Sequence, residues 1–433
     1  MLRNKGVKFI LTMTGGLMVL LVLAMSGLAF AQQKTITVWD FKYGEELTGA
    51  AMEQMDKMFM ERYPGVKINH IGQSHTEYLE IWTAAASARK GPDVVMLWGG
   101  PFFTEFKSSF VPLNDHVTSW KNDVFGWMYM SENLDPQGTI LGVPFTIQSF
   151  VMYYNKGLFA KAGLDPAKPP TEWNTFLETS DTLKAAGITP IGFGNQDGRN
   201  VRYYMSILLS SVLSVSEIQG WLTGKTKYTD GRVVKAMSMI NELHDRGYFN
   251  EGGETLPMFM DLVELFMKGD EIAITLGLGS DVFHWKQLGE AIGYDNLGMF
   301  PTINYENTRY RDAFCAFAGI GYGITNWSKN LSEALDYLKF ITSPEAGQVF
   351  FDVGGGFPSS LKMDMSKIEI ENAKEIFKWL EGYIAPEPTF YISTTARDVM
   401  QRNAQMMLLG EMTPEEVCQA TQEQIERDLA LKR

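Results

Sequence analysis

Between residues 34 and 98 the chain changes hydrophobic period repeatedly, and this constrains the fold more than any other feature of the sequence. "TITVWDF" (35–41) alternates β-branched and other residues, as a strand does. "ELTGAAMEQMDKMFMERYPG" then sets Leu47, Ala51, Met55, Met58 and Phe59 at helical spacing, and Pro64-Gly65 stops the helix. "VKINHI" returns to the strand period. "SHTEYLEIWTAAASARKGPD" opens on Ser74 with Glu77 three residues later, which predicts a capping box. "DVVMLW" (93–98) reads as a buried strand, followed by the loop "GGPFF". The order β-α-β-α-β predicts an α/β fold, and open sheets of this kind bind ligands beyond the carboxyl ends of their strands. That rule singles out Asp40 to Glu45, Gln73 to Ser74, and Trp98 to Pro101.

The segment ahead of this core has a different character. Residues 1–31 carry Arg3, Lys5 and Lys8 but no acid, then an uncharged apolar run ending in Ala29-Phe30-Ala31. A basic start, an apolar stretch and small residues at the end predict a cleaved signal peptide; the rival reading is an uncleaved anchor. The chain is expected outside the cytoplasm, periplasmic or extracellular. Loss of three basic residues would take the formal charge from −13 to −16, which argues against nucleic acid or anionic membranes as partners. The length calls for more than one core, with two domains expected. Cys315 and Cys418 are the only cysteines, and they are expected as unpaired thiols rather than a bridge.

Several chemistries find no support in the sequence. His70, His75, His116, His244 and His284 lack metal-ligand spacing, so no metal site and no cofactor are expected. There is no nucleophile elbow, phosphate loop or dinucleotide fingerprint. The ten tryptophans are more informative, because Trp39, Trp98, Trp173 and Trp285 fall at predicted element ends. An aromatic face stacks on the C–H side of a sugar ring while Asp, Asn and Gln pair with its hydroxyls; core packing is the plainer role for any one Trp.

Several stretches, taken in order, carry a resemblance. They are "ITVWDF", "GPDVVMLWGGPFF" (91–103), "GVPFTIQSFVMYYNKGLFAKAGL" (142–164), "PPTEWNTF" (169–176) and "KGDEIAITLGLGS" (268–280). "YGITNWSKNLSEALDYLKFITSPEAGQVF" (322–350), "GGFPSS" (355–360) and "LGEMTPEEVCQATQEQIE" (409–426) continue it. With these the chain resembles the extracellular solute-binding proteins of family 1, the maltose-binding-like receptors of carbohydrate ABC importers. The resemblance implies an α/β, two-lobed periplasmic-binding-protein-like fold of type II with the ligand cleft between the lobes. It implies an N-terminal lobe of 32–143 plus about 292–345 and a C-terminal lobe of 144–291 plus about 346–433. The chain would cross at Gly142-Val143-Pro144, return near 292–302 and cross again near 343–350.

Carried over by motif, the ligand-facing residues are Phe41, Tyr43 and Glu45 after the first strand, and Trp98, Gly99 and Gly100 after the third; Ser74 joins them by the strand-end rule. The second lobe would add Gln148, Ser149, Asn195, Gln196, Gly279, Ser280 and Asp281, with Trp285 replacing an aromatic that this chain lacks there. Phe357 and Arg397 complete the set. Arg397 stands where a relative carries an aromatic platform, which raises an acidic sugar beside a neutral one as ligand. The implied function is a non-catalytic, monomeric receptor that captures a sugar or oligosaccharide and delivers it to a membrane permease. The alternatives are an exported carbohydrate hydrolase and a receptor for an acidic sugar, anion or metal.

Overall fold

The computed structural model describes residues 33–74, 76–279 and 282–431. The expected signal peptide (1–31), Ser280, Asp281 and His75 lie outside the described residues.

Among the described residues eleven strands, β1 to β11 in chain order, form two sheets. In the first, β1 (Lys34–Asp40) pairs in parallel with β2 (Val66–Gly72) and β3 (Val94–Trp98). β4 (Val143–Pro144) and β10 (Ile320–Ile324) complete it, antiparallel, in the order β2-β1-β3-β10-β4. The second sheet is built on β5 (Ile147–Asn155). One edge of β5 pairs with β7 (Ile272–Leu278), which carries β6 (Thr189–Gly192) beyond it. The other edge pairs with β9 (Phe314–Ala318) at its start and β8 (Leu297–Phe300) at its end, and β11 (Ile384–Ala385) adds to β9.

Why these segments form these elements is plain in most places. β5 and β7 are buried nearly throughout, as strands covered on both faces must be. The helix Glu46–Arg62 buries Met52, Met55 and Phe59 on one stripe, each worth about 1.5–3 kcal/mol, and packs there against the helix Pro344–Gly354. Asp93 is structural: its carboxylate accepts from Thr37 N (2.9 Å), Ser328 Oγ (2.5 Å) and Asn330 Nδ2 (3.3 Å), tying β1 to the loop after β10. Ser343 caps the helix Pro344–Gly354 by accepting from Ala346 N at 3.3 Å, with Pro344 at its first position.

Helix caps form unevenly. Thr413 and Glu416 cap each other reciprocally at the start of Pro414–Leu431. At the helix Tyr78–Ala88, however, the cap is Glu77 without a side-chain bond, and Ser74 pairs with Thr76 instead. At Leu331–Ile341, Asn330 occupies the cap position but spends its amide on Thr35 O and Asp93, while Glu333 turns to Lys34.

The chain passes between the sheets at three places. β4 and β5 are separated by Phe145-Thr146, and β9 and β10 by Gly319 alone. Phe357 to Ser360 form the third passage, with Ile147 N donating to Phe357 O (2.8 Å) and Ser359 N to Phe145 O (2.7 Å). The return expected near 292–302 therefore falls at Gly319, because β8 and β9 both pair with β5 in the second sheet. The last passage comes after 343–350, because the helix Pro344–Gly354 packs on the first lobe. Both cysteines are buried free thiols.

Candidate functional site

At the passages, strand ends from both sheets meet. Ile320 pairs with Trp98 in the first sheet, and Ile147 with Ala318 in the second. The end of β3, the start of β5 and the ends of β7 and β9 therefore border one region.

On the first lobe's side, Trp98 is half-buried. It stacks on Phe41 at 5.2 Å between ring centres and leans on Phe102 at 5.5 Å. Gly99 follows because nothing larger fits: a Cβ there would lie 2.0 Å from Ala318 O, and Gly99 N donates to Gly319 O at 2.9 Å. Gly100 has φ +95°, and a Cβ on it would press on the Phe390 ring at 3.2 Å. Phe390, from the second lobe, thus rests directly on the glycine loop of the first.

The loop after β1 stands on a buried charge cluster. Tyr43 stacks on His70 at 4.1 Å. His70 Nδ1 lies 2.8 Å from Asp56, and its Nε2 lies 3.7 Å from Asp40. Tyr337 donates to Asp56 at 2.6 Å, Tyr322 donates to Asp40, and Lys42 N donates to Asp40 at 2.5 Å. Burial pushes the His70 pKa down, but Asp40 and Asp56 together outweigh it and hold it up at about 9. The imidazolium is thereby fixed beneath Tyr43. Glu45 accepts from Lys42 Nζ (2.9 Å) and Thr48 Oγ1 (2.9 Å), so it braces the loop.

On the second lobe's side, Gln148 sits at the start of β5, half-buried. Ser149 is buried, and its hydroxyl finds no partner among the described residues. Gly279 N donates to Ser149 O at 2.9 Å, and a Cβ on Gly279 would meet the Ser149 hydroxyl at 2.4 Å. Asn195 is buried, with its Oδ1 accepting from Val201 N (3.2 Å) and its Nδ2 unpartnered among the described residues. Gln196 is exposed beside it. Gln405 Nε2 donates to the carbonyls of Asn195 (3.0 Å) and Gln196 (2.9 Å). Arg397 lies on the first turn of the same helix, Thr394–Leu408.

The structure brings Phe41, Trp98, Gly99, Gly100, Gln148, Ser149 and Gly279 together, and sets Asn195 and Gln196 against the last turn of the helix whose first turn carries Arg397. It separates three candidates from them. Trp285 is buried, donates to Gly355 O at 2.9 Å and stacks on Phe351 at 5.4 Å, so it offers no open face in place of the missing aromatic. Phe357 packs among Trp285, Phe351 and Phe377 and is likewise closed off. Ser74 is exposed and bonded locally. Among the described residues no group of His, Cys, Asp or Glu is arranged to hold a metal ion, and no helix is long and apolar enough to cross a membrane.

The family model for bacterial extracellular solute-binding proteins matches residues 43–348, more than half of the chain. The chain belongs to this family. Among curated relatives, the sn-glycerol-3-phosphate-binding periplasmic protein UgpB of Brucella abortus (strain 2308) is 29% identical over 186 residues, 40% of this chain and 41% of that protein. UgpB of Agrobacterium fabrum is 26% identical over 174 residues, 38% of this chain and 40% of its own. The alignments thus span about two fifths of the relatives' length. Among solved structures, a chitin oligosaccharide binding protein superposes with a TM-score of 0.75 at 20% identity, covering 92% of this chain and all of that one. The maltose-bound T. maritima MalE3 gives 0.70 at 21% identity, covering 90% and 99%. These likenesses establish the two-lobed solute-binding fold.

Within this bacterial extracellular solute-binding protein, the structure adds Phe390, Tyr203 and Arg202 to the candidates beside this region. Tyr203 stacks on Phe150 at 4.1 Å, Phe150 leans on Phe317 at 5.6 Å, and Phe317 meets Phe390 edge-on at 5.1 Å. Tyr203 and Arg202 sit in an amphipathic helix pattern, and Phe390 follows a Pro-rich turn; neither context singles them out without the fold.

Proposed function

We propose that the protein is an exported, monomeric, non-catalytic receptor that closes on a sugar or polyol solute and delivers it to the permease of an ABC importer. One observation carries this reading: aromatic faces from opposite lobes, Trp98 and Phe390, flank the Gly99-Gly100 loop where the chain changes sheets, with Gln148 and Ser149 opposite. That is the chemistry a ring with apolar faces and a hydroxyl rim requires. The receptors named in the comparisons, for chitin oligosaccharides, maltose and sn-glycerol 3-phosphate, favour the same class of solute. We place the lobe boundaries at Phe145-Thr146, Gly319 and about 357–360. The closed form would present the surface a permease reads, so solute acts by shifting population.

A thermal-shift panel of mono- and oligosaccharides and polyols tests the reading. A solute at one hundred times its Kd adds about 2.7 kcal/mol, and small-angle scattering should then record a more compact envelope. Absence of any shift across the panel, or turnover of a bound sugar, refutes it.

A further inference from the structure

The second lobe carries two cationic side chains, Arg202 and Arg397, that form no salt bridge among the described residues. Arg202 lies on the first turn of the helix Arg199–Ser210, its guanidinium carbon 4.7 Å from the Tyr203 ring centre. Its Nε is shielded from water and finds no acceptor among the described residues. Arg397 is half-buried, and its Nη2 reaches only Thr394 Oγ1, at 3.5 Å. The loop that leads into Arg199–Ser210 is clamped along the helix Thr394–Leu408, since Gln401 Nε2 donates to Asp197 O at 2.8 Å and Gln405 reaches Asn195 and Gln196. Arg397, Gln401 and Gln405 recur at four-residue spacing, so Arg397 shares the face that meets this loop.

The carboxylate whose charge acts on both is hydrogen-bonded elsewhere. Glu387 is buried; Ser206 Oγ donates to its Oε2 at 2.8 Å, Thr389 N to its Oε1 at 3.1 Å, and the Thr389 hydroxyl to the same oxygen. Burial and the neighbouring Arg202 lower the Arg397 pKa, which Glu387 and Asp398 only partly offset. The two guanidinium groups act on each other electrostatically and repel, in a chain whose formal charge is −13. An anion between them turns that repulsion into paired, charge-assisted hydrogen bonds. Tyr203, beneath Arg202, begins the run of rings that ends at Phe390 against Gly100, so the pair stands on the wall of the region described above.

We propose that Arg202 and Arg397 form an anion-binding subsite of the cleft, so that the solute is a sugar or polyol bearing one carboxylate or phosphate group. This rests on the receptor reading above. The test is calorimetry on the full chain with neutral sugars and polyols, each beside its uronate and its phosphate ester; glucose, glucuronate and glucose 6-phosphate form one such set. A charged member should bind at least about tenfold tighter than its neutral twin, and the uronate and phosphate arms tell which anion the site takes. Arg397→Gln and Arg202→Gln should each cut that preference on the order of 10- to 100-fold. Should Arg202→Gln fail to fold by circular dichroism, Arg397→Gln decides, since its side chain is only half-buried. Equal binding of charged and neutral twins, or an unaltered preference in Arg397→Gln, overturns the subsite and leaves the receptor reading standing. No binding in any arm overturns both.

Discussion

His70 offers the sharpest test of the buried cluster beneath the first lobe's ligand loop. Its side chain is 1% exposed and sits between Asp56, at 2.8 Å, and Asp40, at 3.7 Å, with the Tyr43 ring stacked over it. Tyr322 and Tyr337 face the same carboxylates from β10 and the helix Leu331–Ile341, each donating its hydroxyl. In the unfolded chain the imidazole returns to its ordinary value of 6.5, against about 9 in the fold. That difference corresponds to roughly 3 kcal/mol of stability. Because the folded value is raised, the contribution is complete below pH 6.5, declines as pH rises through the window, and is lost above about 9. Urea unfolding of the wild type and His70→Gln, at constant ionic strength from pH 6 to 10, reads it directly. The wild type's advantage should shrink by roughly 3 kcal/mol between pH 6.5 and 9.5. Solute affinity should fall in His70→Gln at pH 7, since Tyr43 loses the cation it rests on. An advantage that stays constant across the window, or grows with pH, refutes the assignment of a charged imidazole between two carboxylates.

Trp98→Ala should weaken solute binding by about tenfold or more while leaving circular dichroism unchanged, since the ring is half-buried at a strand end. Gly99→Ala drives a methyl to 2.0 Å from Ala318 O and should cost about 1–3 kcal/mol, read as a lower Tm. Asp93→Ala deletes the acceptor for Thr37, Ser328 and Asn330 and should cost about 2–3 kcal/mol in urea unfolding. Cys315 and Cys418, buried with their pKa values raised by desolvation, should react with a thiol reagent only once the protein is unfolded.

The strands and most helices were legible because their signals are local. The alternation in "TITVWDF" and the run in "DVVMLW" report a pleat and a buried face whatever the rest of the chain does, and β1 and β3 fall within a residue of the expected spans. Ser343-Pro344 likewise encodes its own helix start. Ser74 misled because a polar residue before a helix has other suitors: Thr76 takes Ser74, much as Asp93 and Thr35 take the amide of Asn330. The site was half legible. Trp98-Gly99-Gly100 follows a strand in plain sight, whereas Phe390 gains its place only because β11 pairs with β9 and brings the turn after it against Gly100. Trp285 and Phe357 look like cleft residues by position, yet each closes a gap between the helix Pro344–Gly354 and the second lobe.

If the lobes close as proposed, the passages between sheets also decide which parts of the candidate site stay fixed. They are bonded to one another: Phe145 N and Thr146 N donate to Ile320 O (2.9 and 3.2 Å), Gly319 N to Thr146 O (2.9 Å), and Ile147 N to Phe357 O (2.8 Å). Three strands stitched side by side bend as one ribbon more readily than they shear, because shearing breaks every rung at about 1 kcal/mol each. Gly99, bonded to Gly319 O, and Gln148, beside Gly319, belong to the ribbon's edges, so they form a floor that closure hardly alters. Tyr43, Phe390, Arg202 and Arg397 are carried by elements outside it. Solute that reaches only the floor gains nothing from closing the lobes; solute that also engages those outlying rings and guanidinium groups does, and only that differential contact shifts the population toward the closed form.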